Sequence, residues 1–566
     1  MSRKVLIVGG VAGGAGAAAR LRRNDENATI ILFEKGEYIS FANCGLPYYI
    51  GGTITEKGKL QVQTPEGFHA RFGVDVRVRS EVTAVDSAAK TVTVKNHATG
   101  ESYTESYDAL VLSPGASPIR PKMPGMEENH IFTLRNIPDT YAIDEHIHKA
   151  APKTAAVIGA GFIGMEMAEN LVHRGLSVSI IEAAPHVMAP LDMDMAHTVH
   201  NYARGKGLNL YLGKRCSGFT KDSVLLEDGT SVPADMVILS IGVAPETKFL
   251  QGSGVELGRR GEILVDEKLR TNVPDIYALG DAATVKNIVT GGTQVIPLAG
   301  PANKQGRIVA DVICGKEASY KGSQGTSVMK FFDQVVACTG EKEESLLANN
   351  IPYKKTFTLS ASHAGYYPGG SQMIVKLLYS PDKGRVLGAQ IVGGEGVDKR
   401  IDHLAIAVRL GLTVYDLQEM ELAYAPPFSS AKDPVNMAGY VAQNVLEGTM
   451  APFYAEDVAA LPEDAVKVDV RNPGELEALG SIPGFVNIPL DQLRQRLDEL
   501  DLTKPVYVTC QVGLRGYIAQ RILSQHGAGE VHNLSGGYTL YSAYRKDLAG
   551  MADAERKNTA PCGKQE

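Results

Sequence analysis

The chain has 566 residues, a formal net charge of -7, 21% charged and 44% hydrophobic residues, and no tryptophan. At roughly 100–200 residues per domain, three to five domains are expected, and the acidic balance excludes the basic footprint that nucleic-acid binding requires. No run of about 18 uninterrupted apolar residues occurs, so no membrane span is expected and the cytoplasm is the expected location.

An apolar stretch from Val5 to Ala19 follows Arg3 and Lys4, as in a secretory leader. Gly9, Gly10, Gly13 and Gly14 would break the apolar helix that a leader needs. The pattern predicts a strand at Val5–Val8, a glycine turn, a helix from Ala15 to Arg23, and a second strand Thr29–Phe33 ending at Glu34. Strand, turn, helix, strand and acid together form a dinucleotide cradle. Gly9, Val11, Ala12, Gly13 and Gly14 would meet the pyrophosphate at the helix N-terminus, and Glu34 a ribose hydroxyl. Val11 stands where the middle glycine of GxGxxG is expected, so the context and not the motif carries the reading.

Next comes Ser40-Phe41-Ala42-Asn43-Cys44-Gly45-Leu46-Pro47-Tyr48. Of the six cysteines, none forms a CxxC pair, and no metal site is expected. Cys216, Cys314 and Cys338 read as ordinary buried thiols. Farther on, Leu110-Val111-Leu112 leads into Ser113, Pro114 and Gly115. A second cradle is more regular. A strand at Thr154–Ile158 precedes Gly159, Gly161 and Gly164 in full GxGxxG spacing, a helix follows to His173 with Gly175 as its C-cap, and a strand from Ser177 ends at Glu182. A carboxylate there accepts from a ribose 2′-hydroxyl and repels a 2′-phosphate. No Arg or Lys follows nearby, so NADH is expected over NADPH.

The segment Thr271 to Asp281, closing on Gly280 and Asp281, resembles the second FAD motif of two-dinucleotide-binding flavoprotein reductases. Ser113, Pro114 and Gly115 resemble the turn that joins their FAD and NAD domains, and Ala299 falls among the FAD contacts. The order of these motifs implies an NAD domain inserted into an FAD domain. Glutathione-reductase-like members carry CxxxxC where this chain has Cys44 and Tyr49, so an internal disulfide is excluded. Cys44 must then pass through a mixed disulfide, persulfide or sulfenic acid.

The stretch SFANCGLPY resembles coenzyme A-disulfide reductases; NADH oxidases and peroxidases are close relatives. The resemblance covers roughly residues 1–446. It implies coenzyme A contacts from Arg20, Arg23, Ser40, Asn43, Arg71 and Lys432, and electron flow from NADH through flavin to Cys44. It further implies two tyrosines, Tyr366 and Tyr424, that serve the partner's active site in a homodimer, with 326–446 as the interface. Departures exist near Arg71-Phe72, whose register is ambiguous, and at Asn303, which stands where a His contact is expected.

After a linker at 447–454 the pattern changes. Asp469 and Arg471 in DVRNPGE, Pro483 to Pro489, and Cys510-Gln511-Val512-Gly513-Leu514-Arg515 resemble a rhodanese domain over 455–545, followed by a polar tail, 546–566, with Cys562. A helix is predicted at Asp491–Leu500. The loop after Cys510 presents backbone N–H groups to a thiolate or persulfide, and Arg515 adds charge. Ser481 stands where rhodaneses often carry His.

The expected fold is α/β: two Rossmann-like dinucleotide-binding domains (FAD at 1–116 and 246–325, NAD at 117–245), an α+β dimerisation domain at 326–446, and an α/β rhodanese domain. The leading expectation is NADH-driven, FAD-dependent reduction of coenzyme A persulfide, polysulfide or coenzyme A disulfide through Cys44, with Cys510 carrying sulfane sulfur. The alternatives are an NADH oxidase or peroxidase using a Cys44 sulfenic acid, and a sulfurtransferase or redox-sensing module.

Overall fold

The computed structural model describes residues 3–559. The chain divides into two compact units, one from 1–181 with 215–325, the other from 182–214 with 326–566.

The first unit holds two parallel sheets. In one, the strands Ile276–Ala278, Ala109–Leu112, Lys4–Val8, Thr29–Phe33 and Asp75–Arg77 lie side by side in that order. The other includes Ser177–Glu182, Thr154–Ile158, Met236–Leu239 and Ile131–Thr133. The chain leaves the first sheet after Leu112 and rejoins it at Ile276, so the second sheet is inserted into the first. Val5, Leu6 and Ile7 are fully buried, as are Ala155, Ala156 and Val157, which is the unbroken apolar pattern of strands covered on both faces.

The glycines explain how each cradle closes. Gly9 has φ +97° and a Cβ there would lie 2.0 Å from the Ser113 carbonyl oxygen; Gly159 has φ +97° and would meet the Ser240 oxygen at 2.4 Å. Only glycine fits both demands. Val11 is tolerated because its φ is -96°.

In the second unit an antiparallel sheet runs Ser327–Phe331, Gln334–Gly340, Val386–Gly393, Gln372–Tyr379, Lys354–Ala361, with helices Val397–Leu410 and Pro434–Leu446. A separate parallel sheet takes Pro452–Phe453, Val531–Leu534, Val506–Thr509, Val466–Asp469 and Val486–Asn487. The segment 182–214 adds the helix Met193–Gly205 to this unit. Next to that helix the fully buried Lys376 ammonium sits among Asp192 at 2.8 Å, Asp194 at 2.7 Å and Glu343. Three carboxylates gathered this way resemble a cation cage, but the lysine itself is the cation.

Two predicted elements differ. The segment Asp491–Leu500 is not one helix but a short turn of helix, Leu490–Leu493, and a 3-10 turn, Leu497–Glu499. Leu490, Leu493, Leu497 and Leu500 all reach the same core from these two separate turns, so no continuous helix is needed to bury them. At the C-terminus the helix Gly537–Thr559 continues well past residue 545, so the expected polar tail is helical for its first part. Cys562 lies outside the described residues.

Candidate active sites

The two cradles open on helix N-termini that no side chain among the described residues caps. Ala12–Asn24 and Phe162–His173 both lack a side-chain cap and an acidic residue in the first turn. Their free N–H groups and positive dipole ends suit a pyrophosphate. A Cβ on Gly161 would meet nothing within 4 Å, so space for a ligand lies directly over the second turn, whereas one on Gly164 would sit 1.9 Å from the Gly159 oxygen. Gly13 and Gly14 do the same packing work in the first cradle, where a Cβ would approach Leu279 to 2.1 Å and the Gly9 oxygen to 1.9 Å. Glu34 ends its strand with Oε2 accepting the Gly10 N–H at 2.9 Å and Oε1 the Gly36 N–H at 2.8 Å. Glu182 is held by the Ala184 N–H at 2.8 Å. Gly280 donates its N–H to Gln305 at 2.8 Å, Asp281 pairs with Arg135 at 3.0 Å, Gly115 turns at φ +73°, and Ala299 opens the helix Ala299–Ile313. These donors and carboxylates fit two dinucleotides, one per cradle.

Cys44 lies on a 3-10 turn, Asn43–Gly45, that runs straight into the helix Leu46–Ile50, and its side chain is exposed. Ser40 just before it has φ +44°, an uncommon state for a serine. The strain is held by its neighbours: the Ser40 N–H donates to the Gly10 oxygen at 2.8 Å, and its oxygen accepts from Val62 at 2.9 Å and Gln63 at 3.3 Å. The nucleophile loop is thereby tied to the first cradle.

The electrostatics around Cys44 were not legible in any motif. Although Cys44 is exposed, desolvation by the protein around it pushes the thiol up, and the carboxylates of Glu166 and Asp281 add to that, opposed by Arg135. Glu166 comes from the helix of the second cradle and accepts a hydrogen bond from the Tyr48 hydroxyl at 3.2 Å. Burial, with the nearby Glu169, moves Glu166 up to about 7, against the stabilising Tyr48 bond. Cys44, Tyr48 and Glu166 thus lie close together, each with its protonated form favoured.

Of the residues expected to meet coenzyme A, Arg23 and Arg71 are exposed. Arg20 is engaged: Nε and Nη2 donate to Asp311 at 2.8 and 3.1 Å. Phe72 packs on Phe68 with ring centroids 4.8 Å apart, which leaves Arg71 as the outward residue of that pair.

In the second unit Tyr366 and Tyr424 come together, their hydroxyls 2.6 Å apart, at 73% and 47% exposure. The shared hydrogen bond holds the Tyr366 proton and raises its pKa. Their loops are anchored by a buried pair that spacing gave no reason to suspect. Arg400 binds Asp433 at 2.9 Å and also donates to the Ser362 oxygen at 3.0 Å and the Phe428 oxygen at 3.4 Å. Lys432, beside Asp433, is exposed.

Cys510 sits at the end of the strand Val506–Thr509, fully buried, and its Sγ accepts the Gly513 N–H at 3.1 Å. Gly513 takes φ +108°, which turns the loop so that this amide faces the sulfur. The Cys510 oxygen in turn accepts the Tyr538 N–H at 2.7 Å, so the glycine pair before Tyr538 fixes the loop from behind.

Known proteins fit this geometry. A model described as pyridine nucleotide-disulphide oxidoreductase matches residues 3–306. The chain belongs to that family. The family's dimerisation domain matches 326–434 and a rhodanese-like domain matches 454–544. Members of the family work with FAD and a nicotinamide dinucleotide, in keeping with the two cradles. A coenzyme A disulfide reductase of Staphylococcus haemolyticus is 38% identical over 444 residues, which is 78% of this chain and 100% of that one. A structure of reduced Bacillus anthracis CoADR-RHD is 49% identical with a TM-score of 0.94, covering 97% of this chain and 99% of that one. A NAD-dependent persulfide reductase from A. fulgidus is 35% identical with a TM-score of 0.90, covering 95% and 100%. Among the described residues no helix is long and apolar enough to cross a membrane.

Proposed function

We propose that this oxidoreductase uses NADH to reduce the sulfur–sulfur bond of coenzyme A persulfide, of a polysulfide, or of coenzyme A disulfide, in the cytoplasm and as a homodimer. The observation that carries the reading is Cys44: an exposed thiol with the buried Tyr49 where a second cysteine would stand, in a chain that also holds a rhodanese loop around Cys510. The relatives named as coenzyme A disulfide reductase and persulfide reductase support it from two sides.

Glu34 and the first cradle would hold FAD, and Glu182 and the second would hold NADH, its carboxylate disfavouring a 2′-phosphate. A bound flavin supplies the path for electrons from nicotinamide to sulfur. Cys44 as thiolate attacks the coenzyme A sulfur of the persulfide. A Cys44–coenzyme A disulfide forms, and hydrosulfide leaves with the bonding pair. The phenol pair Tyr366–Tyr424 supplies a proton to the departing sulfur in the assembled dimer. Two electrons and a proton from NADH, with one further proton, return both thiols; the sum is persulfide, NADH and a proton giving thiol, hydrogen sulfide and NAD. Arg23, Arg71 and Lys432 are the exposed bases available to coenzyme A phosphates, while Arg20 would have to share its guanidinium with Asp311.

The test is NADH consumption by the holoenzyme with coenzyme A persulfide, coenzyme A disulfide or hydrogen peroxide as acceptor. Sulfur acceptors should be turned over far faster than peroxide, and Cys44→Ser should cut that rate on the order of a thousandfold or more. A Cys44→Ser enzyme that still reduces persulfide would overturn the reading. A peroxide rate above the sulfur rates would favour the peroxidase alternative.

A further inference from the structure

We propose that Glu475 sets the donor specificity of the Cys510 site, turning it away from dianionic sulfur donors such as thiosulfate and towards persulfides carried on an uncharged arm. The inference rests on the reading of Cys510 as a sulfur carrier and concerns what loads it.

Two arginines flank the Cys510 loop, and both are spent. Arg471 is fully buried and bound to Asp469 through Nε at 3.1 Å and Nη2 at 2.7 Å, with further bonds to the Gly480 oxygen at 2.9 Å and the Gln511 side chain at 3.3 Å. Its guanidinium also lies 4.0 Å from the Tyr538 ring centroid. Arg515, the loop's own base, grips Glu475 in a two-pronged pair, Nη1 to Oε2 at 2.7 Å and Nη2 to Oε1 at 2.6 Å. Such a fork matches charge and geometry together. The Arg515 contact drives the Glu475 carboxyl down to about 2, so the pair stays ionised across the working pH range. Glu475 is itself fixed, because the Asn472 N–H donates to its Oε2 at 3.0 Å at the start of the helix Pro473–Leu479.

Two cations and two carboxylates cancel, leaving the loop amides as the site's attraction for a single negative sulfur. A thiosulfate dianion brings a sulfonate that then finds no uncommitted cation in this set. Beside the loop the surface carries apolar side chains: Leu514 and Ile518 stand four residues apart on one face of the helix Leu514–Gln525, which starts directly after Gly513, and both are exposed. That rim suits a pantetheine-like chain. In either loading reaction the Cys510 thiolate attacks the outer sulfur and a sulfur–sulfur bond forms to Cys510. The old bond breaks, and sulfite or pantetheine thiolate leaves with the electron pair.

The experiment uses the full-length holoenzyme. Thiosulfate or pantetheine persulfide is added, and the rate at which the Cys510 peptide gains one sulfur is followed by mass spectrometry. The wild-type chain should load faster from pantetheine persulfide. Glu475→Gln, which keeps an oxygen for Asn472 but frees the Arg515 charge, should raise the thiosulfate-to-persulfide rate ratio about tenfold or more. Glu475→Asp, which keeps the charge, should hold the ratio near wild type. A ratio unchanged in Glu475→Gln, or a wild-type chain that already prefers thiosulfate, overturns the proposal even if that variant folds poorly. If wild-type Cys510 gains sulfur from neither donor, it is the carrier reading that fails.

Discussion

Cys44 illustrates how far a single residue can be read from its neighbours in sequence. Its identity as a lone redox thiol was legible, because Tyr49 occupies the second cysteine's place. Its electrostatic setting was not, because Glu166 arrives from a helix more than a hundred positions away and no motif marks it. The consequence is a pH dependence. With Glu166 raised to about 7, it is protonated and neutral below that pH and a carboxylate above it. The carboxylate repels the Cys44 thiolate, so rising pH makes the thiol harder to ionise at the moment when ionisation would otherwise become easier. Glu166→Gln removes that repulsion. The midpoint of Cys44 alkylation by iodoacetamide against pH, read on the Cys44 peptide, should move to lower pH by about one unit or less. A midpoint that stays put or rises would show that Glu166 does not act on the thiol, leaving burial, Asp281 and Arg135 to set it.

At the scale of elements, the strands and glycine turns of both cradles were legible, since a parallel strand and a forced positive φ leave direct marks such as Val5–Val8 and Gly159. What escaped is docking between elements distant in sequence. The helix Met193–Gly205 meets the C-terminal helix Gly537–Thr559 through Asp547, which accepts from His197 Nδ1 at 2.6 Å and His200 Nδ1 at 2.8 Å, and also pairs with Arg204. His200 Nε2 accepts the Val187 N–H at 3.1 Å, so its one proton is on Nδ1 and the ring is neutral. Burial lowers the His200 pKa, and the same contacts hold the Asp547 carboxyl far below its ordinary value. Both shifts have one sign for stability. A depressed histidine stabilises the fold above its unfolded pKa of about 6.5 and loses that contribution as pH falls; a depressed carboxylate does the same from about 4 downward. Asp547→Asn leaves Arg204 and two buried rings short of their anion, and should cost about 2–4 kcal/mol in urea unfolding at neutral pH. Its stability should also fall more steeply than wild type between pH 7 and 5, because Asp547 is what holds the His200 pKa up against burial. A loss under about 0.5 kcal/mol would mean that the contact is incidental.

For the whole molecule, the sequence motifs established which domains are present, but not that the rhodanese domain completes a sheet edge in its own unit. Lys354–Ala361 is the edge strand of the antiparallel sheet, and its outward backbone groups are met from the C-terminal domain: the Phe357 N–H by Ser535 Oγ at 3.2 Å, and the Lys355 oxygen by the Tyr454 hydroxyl at 2.9 Å. Lys355 also reaches Glu456 at 3.2 Å. The staphylococcal relative is matched over its whole length by 78% of this chain. An exposed edge with open N–H and C=O groups is a template for pairing with other chains. Truncation after Leu446 should therefore not yield a smaller enzyme of equal stability. It should melt at lower temperature than the full chain and elute from size exclusion as higher assemblies. Lys and Glu substituted at Phe357 and Thr358 should partly restore its solubility, since charge on an edge opposes pairing. A truncated chain that stays a discrete dimer with an unchanged melting temperature would show that the strand needs no cover from the rhodanese domain.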